Sequence, residues 1–305
     1  MKTVNRKLVL ILILPILFFS CEQGYEKSWF GTISFNKEEV EVRDKKSFEI
    51  INHNYAKDNV SAYYRGYEIE ESDGKSFILL ERDYSKDKNH VYICSNFLDG
   101  AKYYTKRATN IYLLKDEDPS QFMVLDEYFA KGNLHAYFGH TPLNYSHGPT
   151  FESLGGGYGK DKENVYHHFN ILEANADSFR VLKIPLYAID SEAVYYDGYE
   201  ITGSDAPTFK VLSQEMCKDK NNVYQHGKAL PEIDAKTYEC FPGSYYAKDK
   251  NHVYYITEII EEADIETFIA KKDSPYAKDK HNYYSWGEIE KPESIGYKNA
   301  VKEYN

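Results

Sequence analysis

The sequence predicts a mainly β chain of tandem β-hairpin repeats of 29–30 residues, with a short helical turn in each, stacked as a solenoid-like array. Three observations predict it. First, a Lys-Asp pair recurs, with its Asp at Asp58, Asp87, Asp161, Asp190, Asp219, Asp249 and Asp279; Gly132 stands in once, and Ile189 replaces the Lys before Asp190. The steps are 29, 45, 29, 29, 29, 30 and 30 residues, the 45 being one period plus an insertion of 16. Second, the fifth residue after this point is always tyrosine: Tyr63, Tyr92, Tyr137, Tyr166, Tyr195, Tyr224, Tyr254 and Tyr284. Third, apolar columns flank it. Three residues before lie Tyr55, Tyr84, Phe129, Tyr158, Tyr187, Met216, Tyr246 and Tyr276, and ten or eleven before lies a Phe or Tyr, as in Phe48, Phe77 and Tyr238. Eleven after lies Ile69, Leu98, Leu143, Leu172, Ile201, Leu230 or Ile260, with Glu290 breaking the last unit.

Each part of the unit has a local reading. Lys-Asp-Lys-Asn-His between alternating aromatic and aliphatic residues reads as a hairpin turn. His90, His135, Asn164, Asn222, His252 and Asn282 share the third place after the Asp. His and Asn tolerate positive φ, so the expectation is a three-residue loop closed by a left-handed residue and a bulge. That register puts both aromatic columns on one face of the hairpin. A glycine follows the second strand (Gly66, Gly198, Gly227, Gly287), and polar runs such as Asp205–Phe209 and Asp264–Phe268 read as capped single helical turns. One hairpin, one short third strand and one helical turn are expected per unit. A lone hairpin is marginal in water, so each unit must lean on its neighbours. An eight-bladed β-propeller is the alternative, but 29 residues is short for a four-stranded blade.

In chain order, residues 1–21 read as a lipoprotein signal segment. Lys2, Arg6 and Lys7 precede the apolar run Leu8–Phe19, which is too short to span a bilayer, and Ser20-Cys21 follows it. Cleavage before Cys21 and its lipidation would tether the chain to a membrane; an ordinary secretory peptide is the alternative. Residues 22–47 read as a tether and N-terminal cap, 48–292 as the repeat array, and 293–305 as a fraying C-terminal cap. Residues 95–110 are the insertion, assigned to the third unit. The formal charge is −11, and Lys2, Arg6 and Lys7 are the only charges ahead of Cys21, so the remainder carries −14. Such a balance argues against a nucleic-acid partner.

The run Asp-Lys-Asn-x-Val-Tyr, as in Asp249 to Tyr254, Asp87 to Tyr92 and Asp219 to Tyr224, resembles the bacterial DKNYY repeat family over roughly residues 48–290. The resemblance implies a repeat architecture and no particular activity, because the family has no known function. It also implies less regular turns at Gly132 and Asp190, where the pattern departs.

Chemistry-bearing residues are sparse. Cys94, Cys217 and Cys240 allow at most one disulfide beside a lipidated Cys21; Cys217 and Cys240 pair only if neighbouring units bring them together. Along a strand, alternation sends His167 and His168 to opposite faces. The Asp-Lys-Asn turns invite a calcium reading, but one carboxylate per turn beside a lysine favours an Asp that caps its own turn. No cofactor or metal is expected, and no catalytic residues pair up. The tyrosine column Tyr63, Tyr92, Tyr137, Tyr166, Tyr195, Tyr224, Tyr254 and Tyr284 is either core packing or an aromatic binding ladder, with packing favoured by its constancy. The functional expectation is a non-catalytic envelope lipoprotein, anchored to the outer membrane by Cys21, whose array binds or scaffolds an envelope protein or a glycan. The alternative is an envelope hydrolase or accessory enzyme with its site in the irregular 95–150 region, around His135, His140 and His147.

Overall fold

A computed structural model describes residues 24–98 and 107–304. Two compact bodies divide the chain, residues 1–120 and 121–305. The first holds three sheets. Strands β1 (Tyr25–Lys27), β2 (Ile33–Phe35) and β3 (Glu38–Glu39) form a three-stranded meander. Then come β4 (Glu49–Ile50), β5 (Tyr55–Lys57), β6 (Ala62–Tyr64) and β7 (Tyr67–Ile69), followed by β8 (Ile78–Leu79), β9 (Tyr84–Lys86), β10 (Val91–Leu98) and β11 (Arg107–Leu114), each set a four-stranded antiparallel sheet. The second body repeats the four-stranded meander six times, once per unit from Gly132 to Asp279. The chain is therefore mainly β in tandem units, as the period predicts. Each unit carries one strand more than expected, a short segment after the Phe column that pairs ahead of the hairpin, as Glu49 does with Lys57. The helical turn is present too, as a 3-10 turn over Gly148–Thr150 and over Ala206–Thr208, the latter capped by Asp205.

The register corrects two expectations. Lys57 pairs with Ala62 and the Asp58 N–H donates to the Ser61 carbonyl (2.9 Å), so the first turn has four residues. The left-handed residues lie instead in the second turn, at Arg65 (φ 50°) and Gly66 (φ 88°), a two-residue type I′ connection between β6 and β7. Because Ala56 then faces Tyr63 and Tyr55 faces Tyr64, the two aromatic columns project from opposite faces of each sheet.

That division builds the core. One face of a sheet carries the first aromatic column and the aliphatic residues; the next sheet presents its Phe column and its buried tyrosine. Met216, Val223 and Leu230 of the Asp219 sheet thus meet Tyr238, Ala247 and Tyr254 of the Asp249 sheet. Tyr246, Val253 and Ile260 in turn meet Phe268, Ala277 and Tyr284, and in the first body Tyr55, Ala62 and Ile69 meet Phe77 and Tyr92. The residue opposite each buried tyrosine is small (Ala56, Ser85, Gly159, Ala247), which leaves room for the ring. Both faces of an inner sheet are buried, so strands of two or three residues suffice.

The insertion lies in the second unit, not the third. It lengthens the turn after Tyr92, drawing β10 and β11 out to eight paired residues each. Leu114 pairs with Val91, as Leu172 does with Val165, and so takes the aliphatic place assigned to Leu98. At the other end the expected fraying segment is a ten-residue helix, α1 (Ile295–Tyr304). It lies on the last sheet, with the Tyr304 hydroxyl donating to the Tyr276 carbonyl (2.9 Å) and Tyr297 edge-on to Tyr283. Among the described residues no helix is long and apolar enough to cross a membrane. Cys21 lies outside the described residues.

Candidate functional site

The recurrent Asp is a four-way junction. Asp249 Oδ1 accepts from the backbone N–H groups of Asn251 (2.7 Å) and His252 (2.8 Å). Its Oδ2 accepts from the Asp234 N–H (2.8 Å) and the Tyr254 hydroxyl (3.0 Å). One carboxylate thus closes its own turn, holds the helical turn before it and satisfies a buried phenol. The same four bonds form at Asp58, Asp87, Asp161, Asp190, Asp219 and Asp279. Burial pushes the Asp249 carboxyl up, but the hydrogen bonds outweigh it and hold the group below its ordinary range. Burial, then Asp249 itself, raises the Tyr254 phenol.

A second carboxylate stands beside each of several junctions. Asp234 Oδ1 accepts from the Thr237 N–H and hydroxyl (3.0 and 2.8 Å), and its Oδ2 meets Lys250 Nζ at 2.7 Å. The lysine after the turn Asp therefore neutralises this neighbour, and the Lys250 bond leads the causes that bring Asp234 down to about 2. Asp73–Lys88, Asp205–Lys220 and Asp264–Lys280 repeat the pair. The turn Asp accepts the backbone N–H of this second Asp, and among the described residues no three His, Cys, Asp or Glu side chains group as metal ligands.

The lysine before the Asp reaches forward. Lys57 donates to the Phe77 carbonyl (3.2 Å), Lys131 to that of Phe151 (2.8 Å) and Lys218 to that of Tyr238 (2.6 Å), each bonding the next sheet. Some phenols of the first aromatic column do the same: Tyr158 accepts from Gly198 N–H (2.8 Å) and Tyr246 from Gly287 N–H (3.0 Å). All eight tyrosines of the invariant column are buried, Tyr137 and Tyr195 the most exposed at 3%. They offer no ring face to a ligand.

Within the second body a groove opens near the second turns. The second turns of the Asp249 and Asp279 sheets, at Ile256 and Trp286, and the loops before the first aromatic column in the Asp219, Asp249 and Asp279 sheets line a groove of about 900 Å³. Tyr245 and Trp286 stand in it 61% and 62% exposed, beside Phe241 and Pro242. Glu215, Asp273, Ser213 and Ser244 supply polar atoms along its walls. The Asp273 N–H donates to the Gly243 carbonyl (2.8 Å), which ties two of its loops together.

The DKNYY family model matches residues 5–96, 98–228 and 226–288, most of the chain. The chain belongs to the DKNYY family. No curated protein and no solved structure matches it.

Within the DKNYY units the two departures keep their turns. Gly132 N–H still donates to the His135 carbonyl (2.9 Å), as Asp249 N–H does to that of His252, and Asp190 keeps all four bonds although Ile189 replaces the lysine. The third residue of the DKNYY turn has a role that its side chain alone does not signal: Asn222 and Asn282 donate to the Tyr224 and Tyr284 hydroxyls (3.3 and 3.4 Å). His167 and His168 stack at 4.2 Å instead of facing apart, because His168 is the left-handed residue of the second turn (φ 54°) and the alternation stops there. His147 takes the helix-cap place, its N–H on Asp161 and its Nδ1 2.8 Å from the Thr150 hydroxyl. Cys217 and Cys240 are free thiols, not a disulfide. They face different core layers on either side of one sheet. The groove had one signal in the sequence. The DKNYY step grows from 29 to 30 in the last two units, and the added residue lies in the loops at 241–245 and 271–275.

Proposed function

We propose that this protein is a non-catalytic envelope lipoprotein, held to a membrane by Cys21, whose repeat array binds a glycan through the Tyr245–Trp286 groove. The groove itself carries the reading. Its volume of about 900 Å³ falls within the range of ligand sites. Its two exposed rings suit the apolar faces of sugar rings, which stack on stiff aromatics at small entropic cost. Glu215, Asp273 and the Ser213 and Ser244 hydroxyls suit sugar hydroxyls. The test is capture of solubilised cell-wall glycan on the immobilised protein. Trp286→Ala and Tyr245→Ala are expected to weaken retention about tenfold each, since a stacked ring contributes on the order of 1–2 kcal/mol. Retention unchanged in both variants removes the groove as the site. Cys21→Ser is expected to release the protein from the membrane fraction; a variant still found there counts against the anchor.

A further inference from the structure

Among the described residues the most exposed large apolar side chains are adjacent, Trp29 at 98% and Phe30 at 93%. They form the tip of the turn between β1 and β2, away from every core layer. A packed chain rarely leaves two large aromatics fully in water without a use for them. The strand leading into the turn carries both signs, with Glu26 next to Lys27, and two further lysines, Lys45 and Lys46, lie on the loop bonded to it. Lys27 Nζ donates to the Lys45 carbonyl (3.2 Å), which ties the loop holding Lys45 and Lys46 to the strand that leads into the aromatic tip. Among the described residues none of these three ammonium groups meets a carboxylate. Asp44, the nearest acid on that loop, is engaged by the Ser47 hydroxyl (2.6 Å) and the Lys46 N–H (3.0 Å).

We propose that the Trp29–Phe30 turn is a membrane-docking site that inserts its rings into the interface of an anionic bilayer while Lys27, Lys45 and Lys46 meet phosphate headgroups. Trp is favoured at the headgroup level, where its ring is buried and its N–H stays wet. Lysines held near an anionic surface add to that affinity. The placement rests on the Cys21 anchor, since eight residues at full extension reach only about 26–29 Å, which keeps the turn within reach of the lipid. A lipid chain alone leaves the first sheet free to swing; the aromatic turn fixes which edge of that sheet meets the bilayer.

The chain has two tryptophans, so Trp286→Phe leaves Trp29 as the only indole emitter. The full chain with that background is mixed with vesicles of phosphatidylcholine alone or with phosphatidylglycerol, with brominated acyl chains as quenchers. On anionic vesicles Trp29 emission is expected to shift to the blue and lose at least half its intensity. Phe30→Ser and Lys45→Glu/Lys46→Glu are expected to weaken partitioning about tenfold, with melting temperature unchanged, because these side chains make no core contact. The Cys21→Ser form separates the two ideas: quenching of Trp29 in that form supports docking without the lipid. Trp29 emission unchanged on anionic vesicles overturns the proposal, including when the chain pellets with them through its lipid. Burial of Trp29 by an envelope protein but by no vesicle overturns it as well.

Discussion

At the scale of the residue, the turn Asp is worth more than the tyrosine it holds. Removing Asp249 leaves two turn N–H groups, the Asp234 N–H and a buried phenol without their acceptor. A buried donor left unpaired costs about 1–3 kcal/mol. Asp249→Ala is therefore expected to destabilise the protein by about 3–4 kcal/mol in denaturant unfolding, and Tyr254→Phe by only about 1 kcal/mol. A double-mutant cycle between them is expected to show coupling, because the Tyr254 bond is already lost once Asp249 is gone. The thiols give a second check. Burial, the leading cause, pushes Cys94 and Cys217 up to about 12. Both are expected to resist a disulfide reagent at pH 8 until the chain unfolds. The Asp was legible as a turn cap because its spacing was visible. Its second oxygen was not, since the Asp234 N–H it binds lies fifteen residues away and carries no side-chain signature.

At the scale of the element, the second turn decides the register. Arg65-Gly66 and Trp286-Gly287 both hold positive φ at two successive residues. Gly287 has a further reason to be glycine: a Cβ there would come 2.8 Å from the Tyr255 side chain. Gly287→Ala is expected to cost about 2 kcal/mol, from strain and from the displaced ring. Ile256 holds φ 57° with a β-branched side chain, so Ile256→Gly is expected to raise stability by up to about 1 kcal/mol. Thermal or denaturant melts read both. The His and Asn column predicts a left-handed residue in the first turn. Those side chains instead serve the tyrosine hydroxyls, and a carboxylate holds the four-residue loop without needing positive φ. The glycine column was the better signal, because only glycine at a fixed place after the second strand marks a type I′ connection. The extra first strand was hidden by its length, two residues in every unit but that of Asp161, a length that gives no alternation to read.

At the scale of the whole molecule, the repeated carboxylates and buried phenols make stability depend on pH at both ends. Lysine pairing, with help from the Thr or Ser hydroxyl, holds Asp73, Asp234 and Asp264 near 2 against an ordinary 3.8. Their contribution is complete above 3.8 and is lost as the pH falls to about 2. Burial raises Tyr158 and Tyr224 to about 12 from 10.0, so their contribution is complete below 10 and is lost as the pH rises to about 12. Denaturant midpoints are expected to form a plateau between these limits and to fall outside it. An array whose midpoint does not move between pH 5 and pH 2.5 would contradict the carboxylate network. The tandem β architecture was legible because eight copies average out local noise: four columns at one period cannot arise from a single strand's chance pattern. The groove was legible only in the 30-residue steps, because it is made by three units together, from loops and from the second turns that hold Ile256 and Trp286. The long hairpin of β10 and β11 has one more consequence. The chain was lengthened at the second turn of its unit, on the far side from the junction, and Asp87, Tyr92 and the Leu114 pairing survived intact. Every other unit has the same turn in the same place. Foreign sequence spliced there would stand out from the edge on a two-stranded stalk while the sheet beneath it kept its register, so the repeat doubles as a rack of interchangeable display positions.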